Sequence, residues 1–368
     1  MKGSNWTKPV VLLFFLFSLA ACGGGGGGGD EEGNPVAPPA TVNGLNLVIK
    51  SLAGILDQAF GAGVAVNELG QSVGVADNGS TLQAVRWDAT LLAPAPTVLT
   101  GLAGDAGYSA AYAINDNNIV VGESSDGIRP VAVFWPSGST VASPLSLTGF
   151  FPGGTSAAYG INENTEIVGE TDADLAGNTV AVYWSSTTAA PIILDNLSAG
   201  PAAFSSAYNI NNFQVIVGES LSTEGSKQPT VWLPDGSGGF EAPIALPLLP
   251  GHVEGVALDL NDSDEVAGES QAADGTVHGV AWSIAPDGSV VSTTDLGPDT
   301  SLDAINNSQL LAGYINAGSG NDVSTLWKST DITDSKEING AFSQAYGLND
   351  KNWSVGIVNG QAFVAIPE

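Results

Sequence analysis

Four glutamates, Glu123, Glu170, Glu219 and Glu269, each stand directly after a glycine in a Val-Gly-Glu or Ala-Gly-Glu stretch. Carboxylates at equivalent positions of successive units suit a hard cation such as Ca²⁺, which takes oxygen ligands. Facing solvent, the same residues form only a polar rim. A second acidic series, Glu68, Asp116, Glu163, Asp262 and Asp350, recurs seven residues earlier in the pattern and is expected to gather on one rim as a second cation candidate. Little else has the means for chemistry. His252 and His278 are the only histidines, so a histidine-based triad or a histidine-rich metal site has almost nothing to draw on. No Gly-x-Ser-x-Gly elbow stands at a strand-to-helix turn and no Walker loop occurs. Arg86 and Arg129 are the only arginines, leaving few clamps for an anionic substrate. No residue is assigned a catalytic role.

These acids are carried by a repeat. An aliphatic residue, then Asn, six residues and Gly recur seven times: Asn67/Gly74, Asn115/Gly122, Asn162/Gly169, Asn211/Gly218, Asn261/Gly268, Asn306/Gly313 and Asn349/Gly356. A period of roughly 40 to 50 residues rich in strand signals points to propeller blades. Each unit reads as four short strands. The first ends at the Asn, as in Ser109–Asn115, with the period-2 alternation of a strand. The Asn and the acid or amide after it belong at a tight corner, because such side chains bond to nearby backbone and tolerate left-handed conformations. The Gly is read as the point where a neighbouring blade comes close. Trp87, Trp135, Trp184, Trp232, Trp282 and Trp327 close the third strands and read as packing anchors between blades. A fourth strand follows, as in Leu145–Thr148.

The ends of the chain explain each other. The last copy stops after its third strand, whereas Leu45–Gly54 resembles an orphan fourth strand. The expectation is an all-β, seven-bladed β-propeller over residues 43–368, closed by its N-terminal strand, which removes an exposed sheet edge.

Residues 1–21 read as a targeting segment, with Lys2 and Lys8 before a short apolar run. Leu19-Ala20-Ala21-Cys22 resembles a bacterial lipobox and implies lipid attachment at Cys22, the only cysteine. Residues 22–42, with seven consecutive glycines and a Pro-rich end, read as a flexible acidic tether. Gly23 after the cysteine favours the outer membrane, facing periplasm or exterior. The balance of 9 Lys+Arg against 38 Asp+Glu, net −29, disfavours nucleic acid, which requires a basic footprint. Such acidity suits solubility in salt.

The run Leu147-Thr148-Gly149-Phe150-Phe151-Pro152-Gly153-Gly154-Thr155-Ser156, followed by Gly160-Ile161-Asn162 and Ile167-Val168-Gly169, resembles the HAF family of extracellular repeats. Gln361-Ala362-Phe363 and His278-Gly279-Val280-Ala281-Trp282 stand at that family's tripeptide position. The resemblance implies a secreted or surface-exposed bacterial repeat protein and carries no catalytic residues. The combined expectation is a monomeric, non-enzymatic surface lipoprotein whose ring binds a carbohydrate or protein partner through loops on a rigid scaffold. Two alternatives are a propeller hydrolase or lyase using carboxylates at the channel mouth, and a structural ring stabilised by cations.

Overall fold

The computed structural model describes residues 45–150, 153–172, 178–198, 204–316 and 321–368. The targeting segment, Cys22 and the tether lie outside the described residues. The described chain forms seven four-stranded antiparallel sheets, six of them built from four consecutive strands. Short alternating stretches such as Ser109–Ile114 and Ser156–Ile161 suit such strands, because small and large side chains take opposite faces. The first strands (Gly61–Val66, Ser109–Ile114, Ser156–Ile161, Ser205–Ile210, His252–Leu260, Thr300–Ile305 and Ser343–Leu348) pack against one another around the ring and so line its axis. Among the described residues no helix is long and apolar enough to cross a membrane.

The seventh blade is completed from the other end of the chain. Leu47–Ser51 pairs antiparallel with Gln361–Pro367, from Leu47 opposite Pro367 to Ser51 opposite Phe363. The Glu368 N–H donates to the Asn46 carbonyl at 2.8 Å, and the buried Lys336 ammonium donates to the Leu45 carbonyl at 2.7 Å. The ring closes as the two chain ends imply.

Between blades, the tryptophans do two jobs. Trp87, Trp135, Trp184, Trp232 and Trp282 are essentially inaccessible to solvent, and Trp327 is buried. Trp282, for example, packs with Val217, Val231 and Leu233 of the preceding blade. Five indole N–H groups also donate to the backbone just past the preceding blade's outer strand: Trp87 to Ala53, Trp135 to Thr100, Trp184 to Ser146, Trp232 to Asp195 and Trp282 to Pro247, at 2.7–3.1 Å. A buried indole needs such a partner, so each tryptophan fixes the angle between two sheets as well as filling space.

Three local expectations are corrected. The repeat glycines serve their own blade and not a neighbouring one. A Cβ at Gly74 would collide with the Ala62 carbonyl of the first strand in the same sheet, and the same holds at Gly122, Gly169, Gly218, Gly268, Gly313 and Gly356. That strand carries a β-bulge opposite each glycine, which pushes its backbone toward the second strand. The left-handed residue of each corner is the third after the Asn, namely Gly70, Asn118, Thr165, Gln214, Asp264, Gln309 and Asn352, and not the first. The outer strand of the second blade is Ser143–Pro144, so Leu145–Thr148 lies beyond it; Leu145 still donates to Ala132, and the chain then turns to receive Trp184.

Candidate functional site: the axial mouth

The seven repeat asparagines end the first strands at one mouth of the axis, and all are buried. Each carboxamide oxygen accepts the backbone N–H four residues on, from Gln71 onto Asn67 (2.8 Å) round to Trp353 onto Asn349 (2.8 Å). The oxygen thus holds the corner of its own blade. The nitrogen reaches outward. Nδ2 of Asn67 donates to the carbonyl of Asn115, Asn115 to Asn162, Asn162 to Asn211, Asn211 to Asn261, Asn261 to Asn306, Asn306 to Asn349 and Asn349 to Asn67, at 2.8–3.2 Å. Seven amides therefore form an unbroken hoop of hydrogen bonds through every blade.

A second hoop lies beside it. The backbone N–H of each corner residue donates to the side chain of the next corner residue: Glu68 to Asp116, Asp116 to Glu163, Glu163 to Asn212, Asn212 to Asp262, Asp262 to Asn307, Asn307 to Asp350 and Asp350 to Glu68, at 2.5–3.0 Å. The corner acids do gather on one rim. Their types follow from this role, since a side-chain oxygen is all the position demands. Partial burial raises the Glu68 and Glu163 carboxyls above their ordinary range.

The hoops wall a basin of about 260 Å³. Its lining alternates the aliphatic residues before the asparagines with the asparagines and corner residues, and includes Asn209 hydrogen-bonded to Asp259. The wall is rich in acceptors, with five carboxylates in the corner hoop. Its amide and backbone donors are already engaged between blades. Lys351 reaches back to the Glu68 carbonyl at 2.6 Å, and Phe213 and Leu69 stand exposed in the corner turns.

Below the basin the axis is filled. Val64, Tyr112, Tyr159, Tyr208, Leu258 and Tyr346, each three residues before its asparagine, belong to one apolar cluster drawn from six blades. Tyr159 has its ring 5.5 Å from both Tyr112 and Tyr208. The four post-glycine glutamates sit behind this plug, at the position held by Val75 and Ile357 in the first and last blades. Tyr108 and Tyr112 donate to Glu123 at 2.9 and 2.7 Å. Tyr159 donates to Glu170 and Tyr208 to Glu219, both at 2.8 Å, and Ser301 donates to Glu269. Lys227 pairs with Glu219 at 2.9 Å and lies over the Phe204 ring.

Burial raises all four glutamates, Glu219 to about 7 and Glu269 to about 8, and pushes Tyr112, Tyr159 and Tyr208 well above the usual phenol range. Hydrogen bonds to hydroxyls oppose the shift in Glu123 and Glu170, the Lys227 ammonium opposes it most in Glu219, and for Glu269 the Asp303 charge reinforces it against the Ser301 hydroxyl. The arc therefore faces inward, where burial works against the charged carboxylates that a Ca²⁺ site uses. Among the described residues no group of three or more His, Cys, Asp or Glu is gathered to hold a metal ion.

No family model and no curated protein matches the sequence. Solved structures match in fold. A puromycin hydrolase complexed with PGG aligns with a TM-score of 0.54 at 12% identity, over 84% of this chain and 53% of that one, so the chain spans about half that protein's length. The uncharacterised protein lmo1340 of Listeria monocytogenes EGD-e aligns at 0.50 and 9% identity, over 81% of this chain and 92% of that one. YCF48 from Cyanidioschyzon merolae aligns at 0.50 and 8% identity, over 87% and 98%. At such identities the likeness concerns the architecture alone.

Proposed function

We propose that the ring is a non-catalytic binding module displayed on a bacterial envelope, and that its ligand sits in the axial basin. The observation that carries this reading is the mouth itself. It is a concave site whose polar groups are preorganised by the two hoops, and preorganisation lowers the cost of binding. The same engagement argues against catalysis there, because the side chains that could move protons are holding blades together. A wall of acceptors with its donors engaged favours a ligand that brings donors, such as an ammonium group, a hydrated cation or a sugar hydroxyl face. Phe213, exposed and next in the chain to the basin-lining Asn212, offers an apolar surface outside the basin lining for a sugar or alkyl stem that extends past the rim.

The envelope address rests on the lipobox-like Leu19–Cys22 stretch and on the resemblance to HAF repeats. Lipid on Cys22 would hold the protein at the outer membrane.

Thermal-shift titration with glycans, alkylammonium ions and Ca²⁺ tests the binding reading. A true ligand raises the melting temperature by mass action, and the paired variants Asp116→Asn and Asp262→Asn weaken it. Asparagine already occupies this position at Asn212 and Asn307, so these variants remove charge while keeping the hoop. Turnover of a polysaccharide or ester by the purified chain, lost in the same variants, would overturn the reading. Labelled fatty acid incorporated into the wild type but not into Cys22→Ser would support the anchor, and equal labelling would refute it.

A further inference from the structure

The fifth blade brings the chain's only two histidines together, away from the axial mouth. His252 opens the strand His252–Leu260, and His278 lies in Val277–Ile284, with Glu265–Ala272 between them. Register places Ala272 opposite His252 and Ser270 opposite His278. Residues 270 and 272 are two apart, so both histidines rise from the same face of the sheet. The small Ala272 and Ser270 between them let the rings meet over the middle strand. The ring centroids are 4.8 Å apart, with planes at 87°.

That separation has a chemical meaning. Two imidazoles bound side by side to one metal, with metal–nitrogen bonds of about 2.0–2.1 Å, place their ring centres roughly 4.5–5.2 Å apart. Nδ1 of His278 lies 2.8 Å from the Asp295 carboxylate, which also accepts the Gly297 N–H at 2.8 Å. A carboxylate on Nδ1 fixes the tautomer and presents Nε2 with its lone pair free, the arrangement that supports metal-binding histidines. Nδ1 of His252 is buried without a hydrogen-bond partner, which a missing bound group would explain. The His278 side chain is only 17% exposed, so an ion held there is partly shielded yet reachable.

We infer that His252 and His278 form a two-nitrogen site for a divalent transition-metal ion, completed by water and oriented by Asp295. Imidazole donors select Cu²⁺, Ni²⁺ or Zn²⁺ over Ca²⁺ or Mg²⁺, and Cu²⁺ binds most tightly of the series.

The test uses the full chain purified without a histidine tag and titrated with Cu²⁺ and Zn²⁺ by calorimetry, with paramagnetic resonance on the Cu²⁺ form. One ion bound at micromolar concentration, with coupling to two imidazole nitrogens, is expected. His252→Asn and His278→Asn should each abolish that signal, and Asp295→Asn should weaken binding about 10- to 100-fold. The melting temperature without metal reports whether each variant folds, and the spectrum of the unsubstituted protein stands without any variant. Coupling to fewer than two imidazoles, binding unchanged in either histidine variant, or no saturable binding at millimolar metal would overturn the inference.

Discussion

Asn115 offers the sharpest perturbation of the inter-blade hoop. Its side chain is almost inaccessible, with Oδ1 accepting Ile119 N–H at 3.0 Å and Nδ2 donating to the Asn162 carbonyl at 3.1 Å. Asn115→Ala strands both backbone groups. Each unsatisfied buried group costs about 1–3 kcal/mol, and partial access of water to Ile119 lowers the sum to about 2–4 kcal/mol. Alanine alone cannot tell corner capping from the bond between blades. Asn115→Asp can, because a carboxylate keeps the acceptor for Ile119 but points a charge, not a donor, at the Asn162 carbonyl. At pH 8 the aspartate should therefore cost as much as alanine or more. In acid, a protonated carboxyl regains a donor, so its deficit relative to wild type should shrink. Equilibrium denaturation of the wild type and both variants at pH 8 and pH 4.5 measures this. An Asn115→Asp protein within about 0.5 kcal/mol of wild type at pH 8 would refute the claim, since changes of that size are what inert sites show.

Three further outcomes follow from particular contacts. Trp232→Phe keeps most of the buried ring but strands the Asp195 carbonyl, and should lower unfolding free energy by about 2 kcal/mol in denaturant titration; an unchanged midpoint would contradict the indole's role. Thr165 is a β-branched residue at φ 66°, so Thr165→Gly should gain or hold stability despite glycine's unfolded-state entropy, with relief of about 1 kcal/mol from the left-handed strain; marked destabilisation would count against that reading. Glu219 and Glu269 are raised in the fold to about 7 and about 8, so the native state binds protons that the unfolded chain has released. Their contribution is full below about pH 4.5 and is lost as pH rises through 7 and 8, on the order of 3–5 kcal/mol for each group. Glu269→Gln should flatten that decline, and melting curves from pH 5 to 9 that rise with pH would contradict it.

Much of the ring was legible because the signals were local. The Asn–Gly spacing, the aliphatic residue before each Asn and the tryptophans mark strand ends that physics places alike in every copy. The chain ends predicted closure because Leu45–Gly54 had no blade of its own. The partner of each asparagine nitrogen was not legible, since it is a backbone carbonyl 43 to 50 residues away in six cases and 282 in the seventh, and leaves no mark in side-chain pattern. The glycine was misassigned because a bulge in the same sheet and a neighbouring sheet both demand a missing Cβ. The glutamates' orientation did leave a trace. Tyr112/Glu123, Tyr159/Glu170 and Tyr208/Glu219 share a spacing of 11, which marks hydroxyl–carboxyl pairs across a hairpin. The histidine pair had no motif at all, because the strand between its members sets the meeting.

Residue-resolved amide exchange of the full chain tests the closed double hoop most directly. The N–H groups of Glu68, Asp116, Glu163, Asn212, Asp262, Asn307 and Asp350 sit in surface turns, where exchange is ordinarily fast. The two hoops predict strong protection at all seven, with Asp350 and the Leu47–Ser51 strand as slow as the rest. Fast exchange at these corners, or at the junction of the first and seventh blades alone, would contradict it.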